Sequence, residues 1–110
     1  MTPARFRKLA LSLEGVLEVP HMERAAFRTK RKIFATLGSD KRVNLKIEPI
    51  DRREGLMEAF PDVFHSLGGW TRLGYVAVEL ARVDDELLRE LVVDAWRDAQ
   101  PVPKKRPKRQ

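Results

Sequence analysis

The chain changes its hydrophobic period twice. From Thr2 to Gly15, Phe6, Leu9, Ala10 and Leu13 recur at gaps of three, one and three, which gathers them on one helix face. Thr2 offers a capping oxygen, Pro3 suits the first helical position, and Gly15 ends the segment. Glu14 to Glu23, containing Pro20 and His21, follows neither period and reads as a polar connection. From Arg24 the period becomes two, with strand-like runs at Ala25–Thr29, Lys32–Leu37 and Arg42–Ile47. Lys30-Arg31 joins the first pair and Gly38-Ser39-Asp40-Lys41 the second. In the third run Val43, Leu45 and Ile47 face one side and Arg42, Asn44 and Lys46 the other, so a meander with one wet face is expected.

Beyond Pro49 the pattern is mixed. Asp51-Arg52-Arg53-Glu54 has the form of a capping box before a short helix with Leu56, Met57 and Phe60 as its buried stripe. Pro61 interrupts that helix, and Asp62–Arg72 reads as irregular. Gly74–Leu80 alternates again, setting Val76, Val78 and Leu80 against Tyr75, Ala77 and Glu79. A last helix, capped by Asp84, carries Leu87, Leu88, Leu91, Val92, Ala95 and Trp96 on one face. These elements predict an α+β fold: an N-terminal helix, an antiparallel meander, a short helix, a further strand and a C-terminal helix packed on the sheet. The expected domain is 1–102, with 103–110 a disordered basic tail.

Composition narrows the chemistry. With 110 residues the chain has the size of one domain, and no cysteine is present for disulfides, thiolate metal sites or nucleophilic catalysis. No apolar run is long enough to cross a membrane or form a signal-peptide core, so an intracellular, cytoplasmic protein is expected. The formal charge of +6 is unevenly distributed. Met1–Ile47 holds 11 basic and 4 acidic residues, Glu48–Val102 holds 6 and 12, and the tail holds 5 and none. A near-neutral body therefore combines a basic half, an acidic half and a basic end.

Catalytic patterns are absent. Ser12, Ser39 and Ser66 lie outside any nucleophile motif, and Gly68-Gly69 is a turn before Trp70 rather than a phosphate loop. Glu14, Glu18, His21 and Glu23 are the best metal candidates, but their spacing matches no ligand pattern, and solvated side chains are the favoured reading. No enzyme and no cofactor are expected. Trp96 is expected in the core, and Trp70 is expected to anchor its loop against the sheet.

The stronger signal is cationic. Arg28, Lys30, Arg31 and Lys32 surround the first hairpin turn, and Arg42 and Lys46 share a strand face with Asn44. Such groups suit phosphate contacts, and an amide can read a base edge. Exposed strands also carry Lys and Arg for solubility and edge protection. Lys104, Lys105, Arg106, Lys108 and Arg109 offer sequence-independent affinity for a polyanion, and an acidic lipid surface is an alternative target.

Several segments together resemble the MmcQ/YjbR family: Leu11-Ser12-Leu13-Glu14-Gly15-Val16, His21, Ala26 to Ala35, Asn44-Leu45-Lys46, Gly69-Trp70 to Gly74-Tyr75, and Leu87 to Trp96. The resemblance implies a fold shaped like bacterial CyaY/frataxin, a double-wing arrangement associated with DNA binding, in bacterial cytoplasmic proteins. It implies no catalytic residues. Arg31 stands between Lys30 and Lys32 where that family commonly has a glycine before the lysine. Frataxins use an acidic first helix, whereas Arg5, Arg7 and Lys8 make this one basic, which weakens an iron-binding reading. Non-enzymatic binding of nucleic acid, chiefly duplex DNA, is the leading expectation. The alternative is a regulatory or interaction domain that uses its basic and acidic halves for self-association or partner docking.

Overall fold

The computed structural model describes residues 1–101. Helix α1 (Pro3–Leu11) begins as its sequence predicts, with Thr2 Oγ1 accepting from Arg5 N at 3.1 Å and Pro3 in the first turn. It stops before Gly15, which adopts φ 77° in the turn that follows.

The supposed polar connection contains a strand, β1 (Leu17–His21). Only Val19 is even half-buried in it, because β1 is a sheet edge paired solely with β2 (Arg24–Arg28). An edge strand with no buried face displays no apolar alternation. β3 (Ile33–Leu37) and β4 (Arg42–Lys46) fall within the predicted runs, and β4 buries Val43 and Leu45 as expected.

Helix α2 (Ile50–Ala59) departs from its sequence pattern. Pro49, not Asp51, stands at the N-cap without a side-chain bond, and Asp51 lies inside the first turn. Leu56 and Met57 are half-buried, Phe60 is exposed, and the buried residue is Arg53. Arg53 Nη1 donates to Ile47 O at 2.9 Å and to Glu48 Oε1 at 3.1 Å, so α2 docks partly by hydrogen bonding. The region expected to be irregular holds a three-residue strand, β5 (Phe64–Ser66), and a single turn, α3 (Gly69–Arg72). Both are too short to establish a period. β6 (Tyr75–Glu79) and α4 (Asp85–Asp98) complete the chain, with Asp84 Oδ2 capping α4 by accepting from Leu87 N at 2.9 Å.

The six strands run in the order β1-β2-β3-β4-β6-β5, each antiparallel to its neighbours. One face is the core, built from the cross-strand rows Phe27–Ala35–Leu45–Val76 and Ala25–Leu37–Val43–Val78–Phe64. Phe6 of α1 meets Phe27 edge-on at 5.5 Å, and α4 adds Leu88, Leu91, Val92 and Ala95. The register shifts between Phe27 and Arg28, giving β3 one extra residue. Such a bulge lets neighbouring side chains lean the same way, and Phe34 and Ala35 are both fully buried. Trp96 is half-buried against this core, its Nε1 donating to Glu14 O at 2.9 Å. The structure therefore has the predicted α+β architecture, with two short elements and an edge strand added.

Candidate nucleic-acid interface

The second sheet face is polar. Its central row is Val19–Ala26–Thr36–Asn44–Ala77–His65. Arg24, Arg28, Arg42 and Lys46 alternate onto the same side. Arg24 binds this surface together: Nε donates to Thr36 Oγ1 at 2.9 Å and Nη2 to Arg42 O at 2.6 Å, while Nη1 reaches the Asp40 carboxylate. One guanidinium thus stitches β2 to β3 and β4. Nothing in the sequence singles out Arg24, which opens a strand beside a turn, and its pairing with Thr36 exists only in the folded register.

Arg42 is committed at the far end of β4. Its Nε lies 2.7 Å and its Nη2 2.6 Å from Glu79 Oε2. His65 Nε2 approaches the same carboxylate oxygen at 3.3 Å, without the alignment of a hydrogen bond. Asn44 sits mid-face, half-buried, between Thr36 and Ala77.

The other end of β4 gathers the remaining predicted cations. Arg28 folds over the hairpin, donating to Thr29 O at 3.0 Å and Lys30 O at 3.2 Å. Lys30 and Arg31 are exposed at the tip, where Arg31 Nη1 donates to Asp98 O at 2.9 Å, the negative end of the α4 dipole. Lys32 is half-buried. Burial, and then the neighbouring Lys46 charge, hold its ammonium below the usual lysine range. Lys46 lies 5.6 Å from the centroid of the Tyr75 ring and 3.9 Å from Glu48 Oε2. Tyr75 is fixed by its hydroxyl, which donates to Ile33 O at 2.9 Å, and burial raises its pKa. Among the described residues, Arg28, Lys30, Arg31 and Lys32 have no carboxylate at ion-pair distance. The structure therefore brings Lys32 and Lys46 together beside the hairpin and keeps Arg42 apart from them. Lys104, Lys105, Arg106, Lys108 and Arg109 lie outside the described residues.

The remaining sequence candidates lie elsewhere. Glu18 forms a paired contact with Arg7 at 2.9 and 3.1 Å, and among the described residues no three His, Asp or Glu side chains gather as a metal site. Trp70 does not anchor its loop: it is 60% exposed. No helix among the described residues is long and apolar enough to cross a membrane.

An antiparallel sheet with its helices packed through one core and a polar, cation-bearing second face defines a small α+β domain. A family model described as YjbR matches residues 11–98, and the chain belongs to that family. The crystal structure of Deinococcus radiodurans protein DR2400, with family-model domain DUF419, is similar at a TM-score of 0.74 and 26% identity, covering 86% of this chain and 75% of that one. No curated protein matches the chain.

Proposed function

We propose that this YjbR-family protein is a non-enzymatic binding domain for nucleic acid, duplex DNA above all, that works through phosphate contacts from the β2–β3 hairpin and the adjoining end of β4. The observation that carries this function is the juxtaposition of Lys32 and Lys46 beside Lys30 and Arg31. Two like charges, both half-buried, raise the energy of the unliganded surface. A bound phosphate oxygen relieves their repulsion and replaces lost solvation. Tail cations add affinity that reads no sequence.

Base readout on a duplex is limited by shape. Six strands ~4.8 Å apart span ~24 Å, wider than the ~12 Å major groove, so Asn44 at mid-sheet meets phosphates or an unstacked base rather than a groove floor. This function fits a cytoplasmic protein. Fluorescence anisotropy with a labelled duplex at low and near-physiological salt tests it. Replacing Lys30, Arg31 and Lys32 together by alanine is expected to weaken binding and lower the salt slope by up to ~2.7, at ~0.9 per phosphate. Failure of the full chain to bind at low salt overturns the proposal. A concentration-dependent mass without any oligonucleotide binding would favour self-association instead.

A further inference from the structure

The Gly68–Leu73 turn is built to hold an aromatic ring in solvent. Trp70 is 60% exposed and Leu73, three residues on, is 59% exposed, so α3 turns its largest side chains outward. The turn itself is tightly framed. Thr71 Oγ1 accepts from Leu67 N at 2.6 Å, Ser66 Oγ accepts from Gly68 N at 3.2 Å, and Thr71 N donates to Gly68 O at 3.0 Å. Its far end is seated by Gly74, which has φ 106° and lies so close to Lys46 Cε and Glu48 Oε2 that a Cβ there would push those side chains aside. Gly74 O also accepts from Ile47 N at 2.8 Å. Trp70 therefore stands one helical turn from the point where this loop touches Lys46, and Arg72 is exposed between them.

A large ring held outward by a fixed frame loses little freedom when something covers it. The adjoining charge selects the occupant. Lys46 lies against Gly74 at the end of this turn, with Lys32 as its neighbour and Glu48 the carboxylate facing it, and Arg72 is exposed two residues beyond Trp70. Cations that follow a phosphate backbone, next to an aromatic face, are the arrangement that binds unpaired nucleotides.

We propose that Trp70 is a stacking platform for an unstacked base whose backbone phosphates lie on Lys46 and Lys32, so that the protein engages single-stranded segments or frayed ends as well as duplex. This rests on the nucleic-acid function proposed above and adds a structural preference to it. The test uses the full chain with an oligothymidylate of about 12 nucleotides and a blunt duplex of equal length, a span within the range of single-strand binding sites. Trp70→Ala is expected to weaken the single strand about 10-fold and to leave duplex affinity within about twofold, whereas Trp70→Phe retains most of the single-strand affinity. Tryptophan emission is expected to be quenched by oligothymidylate in the native chain and not in Trp70→Phe. Circular dichroism of each variant reports folding, which an exposed residue outside the core leaves intact. Equal single-strand affinity for the native chain and Trp70→Ala, with duplex binding present, overturns the stacking role alone. Absence of binding to both oligonucleotides overturns the underlying function. Trp70-dependent binding to anionic lipid vesicles, with none to oligonucleotide, assigns the ring to a membrane surface and also overturns the proposal.

Discussion

Thr29 and Ala99, 70 residues apart, are joined by a buried hydrogen bond: Thr29 Oγ1 donates to Ala99 O at 2.5 Å. The same oxygen accepts from Arg31 N at 3.1 Å and Lys32 N at 3.3 Å. One hydroxyl thus shapes the hairpin turn and pins it to the C-terminal end of α4. The cations at the tip are held by a rigid element, not a free loop.

Thr29→Val keeps the shape of the side chain and removes all three bonds. The Ala99 carbonyl is then left buried without this donor, at a cost of about 1–3 kcal/mol, while Thr29→Ser restores the hydroxyl and most of the stability. Urea denaturation of the three proteins checks this order. Equal midpoints for the valine and native chains would show that the bond contributes nothing net.

Sequence patterns revealed those parts of the fold that have one wet and one dry face. Val43 and Leu45 alternate with Arg42, Asn44 and Lys46, and α4 shows its Leu88–Leu91–Val92–Ala95 face, because burial follows the local period there. β1 shows no period because it has almost nothing buried, and the apolar spacing of α2 misleads because Arg53 is its buried residue. The candidate cations were identifiable by type and position. Which of them would meet was not, because Lys32 lies just before β3 while Lys46 ends β4, and Arg42 finds Glu79 only through the β4–β6 register.

Gly74→Ala tests the seat beneath Lys46. A left-handed φ of 106° strains any Cβ, and this one would overlap Lys46 Cε at 2.5 Å and Glu48 Oε2 at 2.7 Å. The variant is expected to lose at least ~1 kcal/mol of stability, with chemical-shift changes at Lys46 and Tyr75. Gly55→Ala has open space and no such φ, so it serves as a helical control and is expected to be neutral or stabilising.

Lys32 makes stability depend on pH. Its folded pKa is lowered, so between that value and the unfolded value near 10.5 the unfolded chain binds more protons. Stability therefore rises with pH through this window, and the penalty is fully present below it. Tyr75 acts in the opposite direction and higher: burial raises its folded pKa above 10.0, so stability falls as pH climbs through that region. Urea midpoints between pH 7 and about 10 are expected to rise more in the native chain than in Lys32→Met. A constant difference between the two across the range would remove Lys32 from the effect. The phenolate absorbance of the single tyrosine is expected to titrate with a midpoint above 10.0.

Arg42 and Lys30 carry the same charge but differ in what a phosphate must displace. Arg42 is held by Glu79 at 2.6 Å, whereas Lys30 is exposed with no carboxylate at ion-pair distance among the described residues. For Arg42 to contact a duplex it must share or break that pair, and the carboxylate left behind repels the same phosphate. Lys30→Ala is therefore expected to reduce the salt slope of duplex binding by ~0.9, the full value of one contact, and Arg42→Ala by distinctly less. Glu79→Gln frees the Arg42 guanidinium and is expected to strengthen duplex binding, an effect that vanishes when Arg42→Ala is also present. Ending the chain at Val102 removes five cations and sets the scale for comparison, with a loss of up to ~4.5 in slope if all of them engage phosphate. Anisotropy titrations at four or more salt concentrations resolve these differences. Equal slopes for Lys30→Ala and Arg42→Ala would mean that the Glu79 pair opens freely on binding and that the two ends of β4 act as one surface.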